Sequence, residues 1–319
     1  MSGRVERMTS ERRGAALILA STVAFCLMSA LVRSASGIDP YKTTLFRFIV
    51  GLGILGTAAM LGKIELKFTN GRLLFLRGLF GGTAILLFFR SISKLGVGKA
   101  TVLIYAFPIF GSIFSAIFLK ERVGLLRAVA ILTAFAGIYL LGADNGNGVS
   151  VLGSLGTDEL LALCGAVLGG AALVLVKKLH DTDSSYAIFF AQCAIGLWVV
   201  VVPANAIPCS VGLAGGFVLV AIGVTSATGQ LLATAGYRHV DVATGGLLGM
   251  LVPVLNYVIG VVGFDEPVSF ESVVGTVMVV GSCAIVLART KNGSNGPGVR
   301  SVHLAGDDKH ASQRSDIEE

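Results

Sequence analysis

The sequence predicts an all-α membrane protein whose ten transmembrane helices form two inverted-topology five-helix repeats. Three observations lead there. Of the 319 residues, 54% are apolar and 14% charged, with a mean hydropathy of +0.82. Ordinary soluble domains carry about 25% charge. The apolar residues gather into ten runs, each close to the roughly 20 residues that cross a bilayer as a helix. Features of the first half then recur 145 residues later in the second. This balance excludes a cytosolic enzyme, a disordered chain, a collagen and a small disulfide scaffold. A membrane barrel is excluded because its strands alternate apolar and polar residues, whereas these runs are apolar on every side.

Taken in order, residues 1–13 form an N-terminal tail carrying Arg4, Arg7, Arg12 and Arg13. The first apolar run is read as a retained helix, since a cleaved signal would be followed by polar mature sequence. The first repeat, 14–142, holds spans Gly14–Val32, Thr43–Leu61, Leu73–Phe89, Ala100–Leu119 and Leu125–Leu141. An external linker, 143–159, leads to the second repeat, 160–288. Its spans are Leu160–Val176, Tyr186–Val202, Gly212–Ala235, Val242–Gly263 and Val273–Leu287. Residues 289–319, rich in Gly, Ser, Asp and Lys, read as a disordered cytoplasmic tail. Cys26, Cys164, Cys193 and Cys283 lie in apolar runs and only Cys209 in a loop, so no disulfide framework is available.

Charge sets the expected orientation. With the N-terminus inside, 18 Lys and Arg fall on the cytoplasmic side. Five fall outside: Arg33, Lys42, Arg90, Lys94 and Lys99. The bias places both termini in the cytoplasm, although the stretch from Arg90 to Lys99 is basic on the opposite side.

The repeat is read from paired positions. Pro108 and Glu121 recur as Pro253 and Glu266, Arg47 aligns with Gln192, and Gly51 with Gly196. With a two-residue slip, Val97-x-x-Ala100-Thr101 recurs as Val240-x-x-Ala243-Thr244. Five spans is an odd number, so the second copy enters from the opposite face. Inverted repeats with a site between them near the midplane are a recurring plan of secondary transporters.

Polar groups within the spans are the candidate pathway residues, because such groups in hydrocarbon face a cavity or one another. Arg47, in the outer third of span 2, suits bidentate contact with a carboxylate or phosphate, snorkelling, or carbonyls at a helix end. Arg77, near the inner end of span 3, suits snorkelling to headgroups, with a pathway role as the alternative. Gln192, Gln230 and Asn256 offer amides to a cavity or to neighbouring helices. Pro108 and Pro253 lie mid-span at matching positions, where each removes a backbone donor and frees a carbonyl. Two mirrored kinks are therefore the best pointer to a substrate site, with Tyr105 and Tyr257 beside them as aromatic faces or plain packing. Glu121 and Glu266, at span ends, read as interface caps or gate contacts. Gly165-x-x-x-Gly169 and Gly245-x-x-x-Gly249 have the spacing of close helix contacts within a monomer. No Asp, Glu or His lies in the middle of a span, so an evident proton relay is missing.

These features carry a resemblance. Arg77-Gly78, Phe88-Phe89, Val97-x-x-Ala100-Thr101, Pro108-Ile109-Phe110 and Leu119-Lys120-Glu121-Arg122 resemble the EamA-type unit, part of the drug/metabolite transporter superfamily. Gly236-Tyr237-Arg238-His239-Val240, Pro253 and Glu266 repeat its later part. The resemblance covers roughly residues 14 to 288, and departs where Asp265 and Pro267 replace Lys120 and Arg122. It implies a carrier fold and leaves the substrate open, since the superfamily includes amino-acid exporters, vitamin and nucleotide-type carriers, and sugar-phosphate carriers.

The expectation is a permease of the cytoplasmic (inner) membrane. It would move a small organic metabolite (amino acid, organic acid, vitamin or nucleoside-type compound) by alternating access. Its partners would be that solute and membrane lipid, with no nucleic acid, no metal and no cofactor, as a monomer or homodimer. An enzyme is disfavoured because no base or carboxylate stands within a span to activate a nucleophile, and no phosphate-binding glycine loop is present. The alternative is a structural or signalling membrane protein built on the same duplicated fold.

Overall fold

The computed structural model describes residues 2–34, 38–95, 97–143, 156–206, 212–265 and 267–292, and every regular element among them is a helix. In order these are α1 (Ser2–Ser34), α2 (Pro40–Met60), α3 (Gly71–Leu95), α4 (Val97–Ile104), α5 (Phe107–Phe114), α6 (Leu125–Ala143), α7 (Thr157–Leu179), α8 (Ser185–Asn205), α9 (Leu213–Tyr237), α10 (Val242–Gly249), α11 (Leu251–Phe264) and α12 (Phe270–Asn292). A single π-helical stretch, Ser115–Leu119, extends α5. Among the described residues, ten spans are long and apolar enough to cross a membrane; α4 with α5 makes the fourth, and α10 with α11 the ninth. Apolar helices suit hydrocarbon because every interior backbone group is satisfied within the helix.

Helix starts follow local chemistry. Pro40 takes the first turn of α2, where a missing N–H costs nothing, and the Asp39 carboxylate accepts the Tyr41 N–H at 2.8 Å. Ser184 caps α8 through the Ala187 N–H, and Asp241 caps α10 through the Thr244 N–H at 2.7 Å.

Spans 4 and 9 break at equivalent places. α4 ends at Ile104 and α10 at Gly249, four residues before Pro108 and Pro253. Each proline has no N–H to offer the carbonyl four residues back and its ring crowds that carbonyl. The carbonyls of Ile104 and Gly249 therefore lose their helical donors at positions 145 apart. Both spans also end alike: Lys120 (φ 55°) and Asp265 (φ 51°), again 145 apart, are the non-glycine residues with left-handed backbone among those described.

Most of the packing joins one repeat to the other. α1 lies along α9, α3 along α7 and α8, α2 along α8 and α9, and α6 along α12 at the edge of the bundle. Backbones approach closely at glycines on these seams. A Cβ on Gly82 would stand 2.7 Å from the Gly196 Cα, and one on Gly137 would stand 2.6 Å from the Gly275 carbonyl. Gly165 lies against Ile104 and Leu87, while Phe107 of α5 packs over both Gly169 and Gly249. The spaced glycines thus serve helix contact within one chain.

The two faces of the bundle are tied differently. The amino-terminal face holds Ser10, whose hydroxyl pairs with His239 Nδ1 at 2.8 Å. There the Glu121 carboxylate accepts the Val242 N–H at 3.1 Å, Lys177 donates to the Val240 carbonyl at 2.7 Å, and Arg127 meets Asp241 at 3.3 Å. These contacts bind spans 4, 5 and 6 to the start of span 9. At the far face, Lys99 pairs with Glu159 at 2.5 Å, Arg90 with Asp158 at 3.3 Å, and the Arg33 guanidinium lies 4.1 Å from the Phe264 ring centre. Those links join α3 and α4 to α7 and α1 to α11. Among the described residues, no hydrogen bond or ion pair joins α4 to α11.

Candidate functional site

Two buried arginines define a polar seam inside the bundle. Arg47 of α2 is 8% exposed, and its Nη2 donates to the Gln230 side-chain oxygen of α9 at 3.3 Å. Its guanidinium also lies 5.9 Å from the Phe25 ring centre of α1. Arg77 of α3 is 3% exposed, and its Nη2 donates to the Gln192 side-chain oxygen of α8 at 2.8 Å. Arg77 therefore does not reach for headgroups. It folds inward over Gly81, one turn along its own helix, where any side chain would collide with Nη1. Arg47 and Gln192, aligned by the repeat, do not bond to each other; each pairs with a residue of another helix.

The two cations share one interior. They lie within electrostatic reach of each other, and the buried Cys193 thiol lies within reach of both. Tyr237, at the end of α9, lies within electrostatic reach of Arg77 and packs its ring against Gly245 of α10, connecting the seam to the broken ninth span. Ser226, Gln230 and Thr234 stand four residues apart on α9, so they share one face. The hydroxyls of Ser226 and Thr234 are buried without hydrogen-bond partners, as are Nε and Nη1 of Arg77.

A second group lines the breaks. Tyr105 falls at the interruption of span 4, with its ring 5.7 Å from that of Phe107. Pro108 packs against Gly246, which has no room for a Cβ beside it. Pro253 is buried at the start of α11. Asn256 Oδ1 and Tyr257 OH, on the same helix, are buried without partners. Glu121 stands apart from this interior, on the amino-terminal face. Glu266 and the tail from residue 293 onward lie outside the described residues, as do 144–155 of the linker.

Cys193, Tyr237, Ser226 and Thr234 belong to the seam yet were not singled out from the sequence. Cys193 neighbours Gln192, and Tyr237 sits within the Gly236–Val240 motif. The four-residue spacing of Ser226, Gln230 and Thr234 in an otherwise apolar span is the signal that would have found the hydroxyls. Near the amino-terminal face, burial pushes the His180 imidazole down to about 4. The ring is therefore neutral at pH 7, with Nδ1 on the Val176 carbonyl at 2.8 Å and Nε2 facing the Ser185 hydroxyl.

The seam offers two guanidinium groups, two amides and several hydroxyls, with no carboxylate among the residues that form it. That set can bind a polar solute by hydrogen bonds and charge. It has no nucleophile–base pair.

Known proteins match both the architecture and its duplication. The Pseudopaline exporter CntI of Pseudomonas aeruginosa is 27% identical over 291 residues, covering 88% of this chain and 98% of its own length. Solute carrier family 35 member G1 of Mus musculus is 26% identical over 277 residues, covering 82% of this chain and 74% of its own. A crystal structure superposes with a TM-score of 0.75 at 18% identity, over 88% of this chain and 98% of that one, which shows the shared fold. Residues 12–143 and 157–288 each match the EamA-like transporter family. Ten spans, two copies of one unit and relatives named as transporters together make this chain a membrane transporter belonging to the EamA-like transporter family.

Proposed function

We propose that the chain is a secondary carrier that moves a small organic solute across the cytoplasmic membrane by alternating access. The solute would bind on the seam of Arg47, Arg77, Gln192 and Gln230, near the breaks at Tyr105–Pro108 and Met250–Pro253. The observation that carries this reading is where the buried polar groups fall: on the surface along which the two repeats pack, beside two backbone interruptions at equivalent positions. Groups so costly in an apolar interior are retained where they serve a pathway or one another. Freed carbonyls at broken helices are a known means of binding solutes at membrane depth.

The charge bias supports both termini on the cytoplasmic side. The amino-terminal face is then the inner one, latched by Glu121, Arg127 and Lys177 onto span 9. One relative's name as an exporter and another's as a solute carrier support carriage of a solute.

The test compares metabolites retained by proteoliposomes with and without the protein, using an untargeted cell extract. Saturable, protein-dependent flux of at least one organic solute, with counterflow, is the expected result. Absence of any such flux would favour a structural role. Asn256→Ala, Gln230→Ala and Tyr105→Ala are each expected to weaken apparent affinity; unaltered affinity in all three would remove the solute from this seam.

A further inference from the structure

Resting on the carrier reading, we infer that the solute is an organic anion of charge near −2, held between Arg47 and Arg77. Both side chains are more than nine-tenths buried. The hydrogen bonds each makes to another side chain run to a neutral amide, Gln230 or Gln192. No carboxylate belongs to the seam: Asp183 caps Thr69 and Asn70 at the amino-terminal face, and Glu159 is bound to Lys99 at the far face. A buried cation normally sits against an anion, because desolvation costs several kcal/mol that an amide oxygen alone does not offset. Two such cations within reach of each other repel as well.

Chemistry narrows the ligand further. Arg77 spends Nη2 on Gln192, while Nε and Nη1 are buried without a partner. Unpaired donors on a planar guanidinium match the oxygens of a carboxylate or phosphate. Gly81 keeps the space beside Nη1 free of a side chain, and the unpaired hydroxyls of Ser226 and Thr234 add neutral donors on the face of α9 that carries Gln230, the partner of Arg47. A monoanion would leave one positive charge uncompensated. A cationic solute would meet two like charges. A dicarboxylate and a phosphate monoester share the required chemistry, and the experiment separates them.

Purified protein is assayed in two ways against succinate, glycerol 3-phosphate, lactate, alanine and putrescine at matched ionic strength. Thermal unfolding reports binding, and counterflow of the labelled compound in proteoliposomes reports transport. Succinate, glycerol 3-phosphate or both should raise the midpoint by about 5 °C near saturation, with the larger response naming the preferred anion, and the same compound should exchange. Arg77→Gln and Arg47→Gln should each weaken that response roughly ten- to hundred-fold in concentration, and Arg77→Lys should restore part of it. If Arg77→Gln does not yield folded protein, Arg47→Gln and Arg47→Lys carry the comparison. A response to alanine or putrescine that exceeds those of both dianions overturns the anion assignment and leaves the carrier reading standing. An undiminished dianion response in both Gln variants overturns it too. A dianion-specific thermal shift without any flux upholds the assignment and sinks the carrier reading; neither shift nor flux sinks both.

Discussion

Lys99 and Glu159 meet at 2.5 Å with side chains only 21% and 10% exposed, whereas Arg90 and Asp158 meet at 3.3 Å with 43% and 34% exposed. Burial decides what each pair contributes. Removing one partner of a shielded pair strands the other charge, while an exposed pair contributes about 0–1 kcal/mol. Lys99→Met should therefore lower stability more than Arg90→Met, which should cost less than about 1 kcal/mol, in thermal unfolding of the purified protein. Equal losses would mean that the far-face pairing is not organised by burial. These pairs also account for the basic stretch that runs against the charge bias, since Arg90 and Lys99 are held by acids at the start of α7. A count of Lys and Arg along the chain could not reveal that, because the partners are about 60 residues away in the sequence. Arg77 makes the same point. Its place near a span end suggested snorkelling, and only the opening beside Gly81 and the oxygen of Gln192 turn it inward.

Spans 4 and 9 were the most legible elements. A mid-span proline must interrupt the ladder at the residue four before it, and Ile104 and Gly249 are where α4 and α10 end. The way both spans terminate was not legible. Lys120 and Asp265 hold left-handed backbone, and nothing in either side chain announces it. The matching φ angles show that the repeat preserves a backbone bend where residue types differ. A non-glycine residue in this region is strained by about 1–2 kcal/mol, part of which returns as lost chain entropy if glycine is substituted. Lys120→Gly and Asp265→Gly are each expected to raise stability by about 0.5–1 kcal/mol, measured by thermal unfolding. Destabilisation by both would show that these side chains contribute more than the bend costs. The π-helical turn after α5 has no counterpart in α11 and no sequence signature among the residues that form it.

At the scale of the whole molecule, duplication explains why the interior is an interface. Most helices find their main neighbours in the opposite repeat, so under the proposed alternating access the central seam is also the surface along which the two units would move. The ten spans and the repeat followed from hydropathy and spacing, because bilayer thickness and an odd helix number leave few arrangements. The pairing of α1 with α9 and α3 with α7 and α8 depended on glycine contacts distributed over distant segments, which periodicity alone cannot assign. Under the proposed alternating access, the amino-terminal latch of Glu121 on Val242 must open for solute to pass. This requirement is tested most directly by placing cysteines at Glu121 and Val242, in a chain with Cys164 and Cys209 replaced by serine, and bridging them with a short thiol cross-linker. Cross-linking is predicted to abolish counterflow in proteoliposomes and reductive release of the bridge to restore it; full counterflow with the bridge intact would contradict the account.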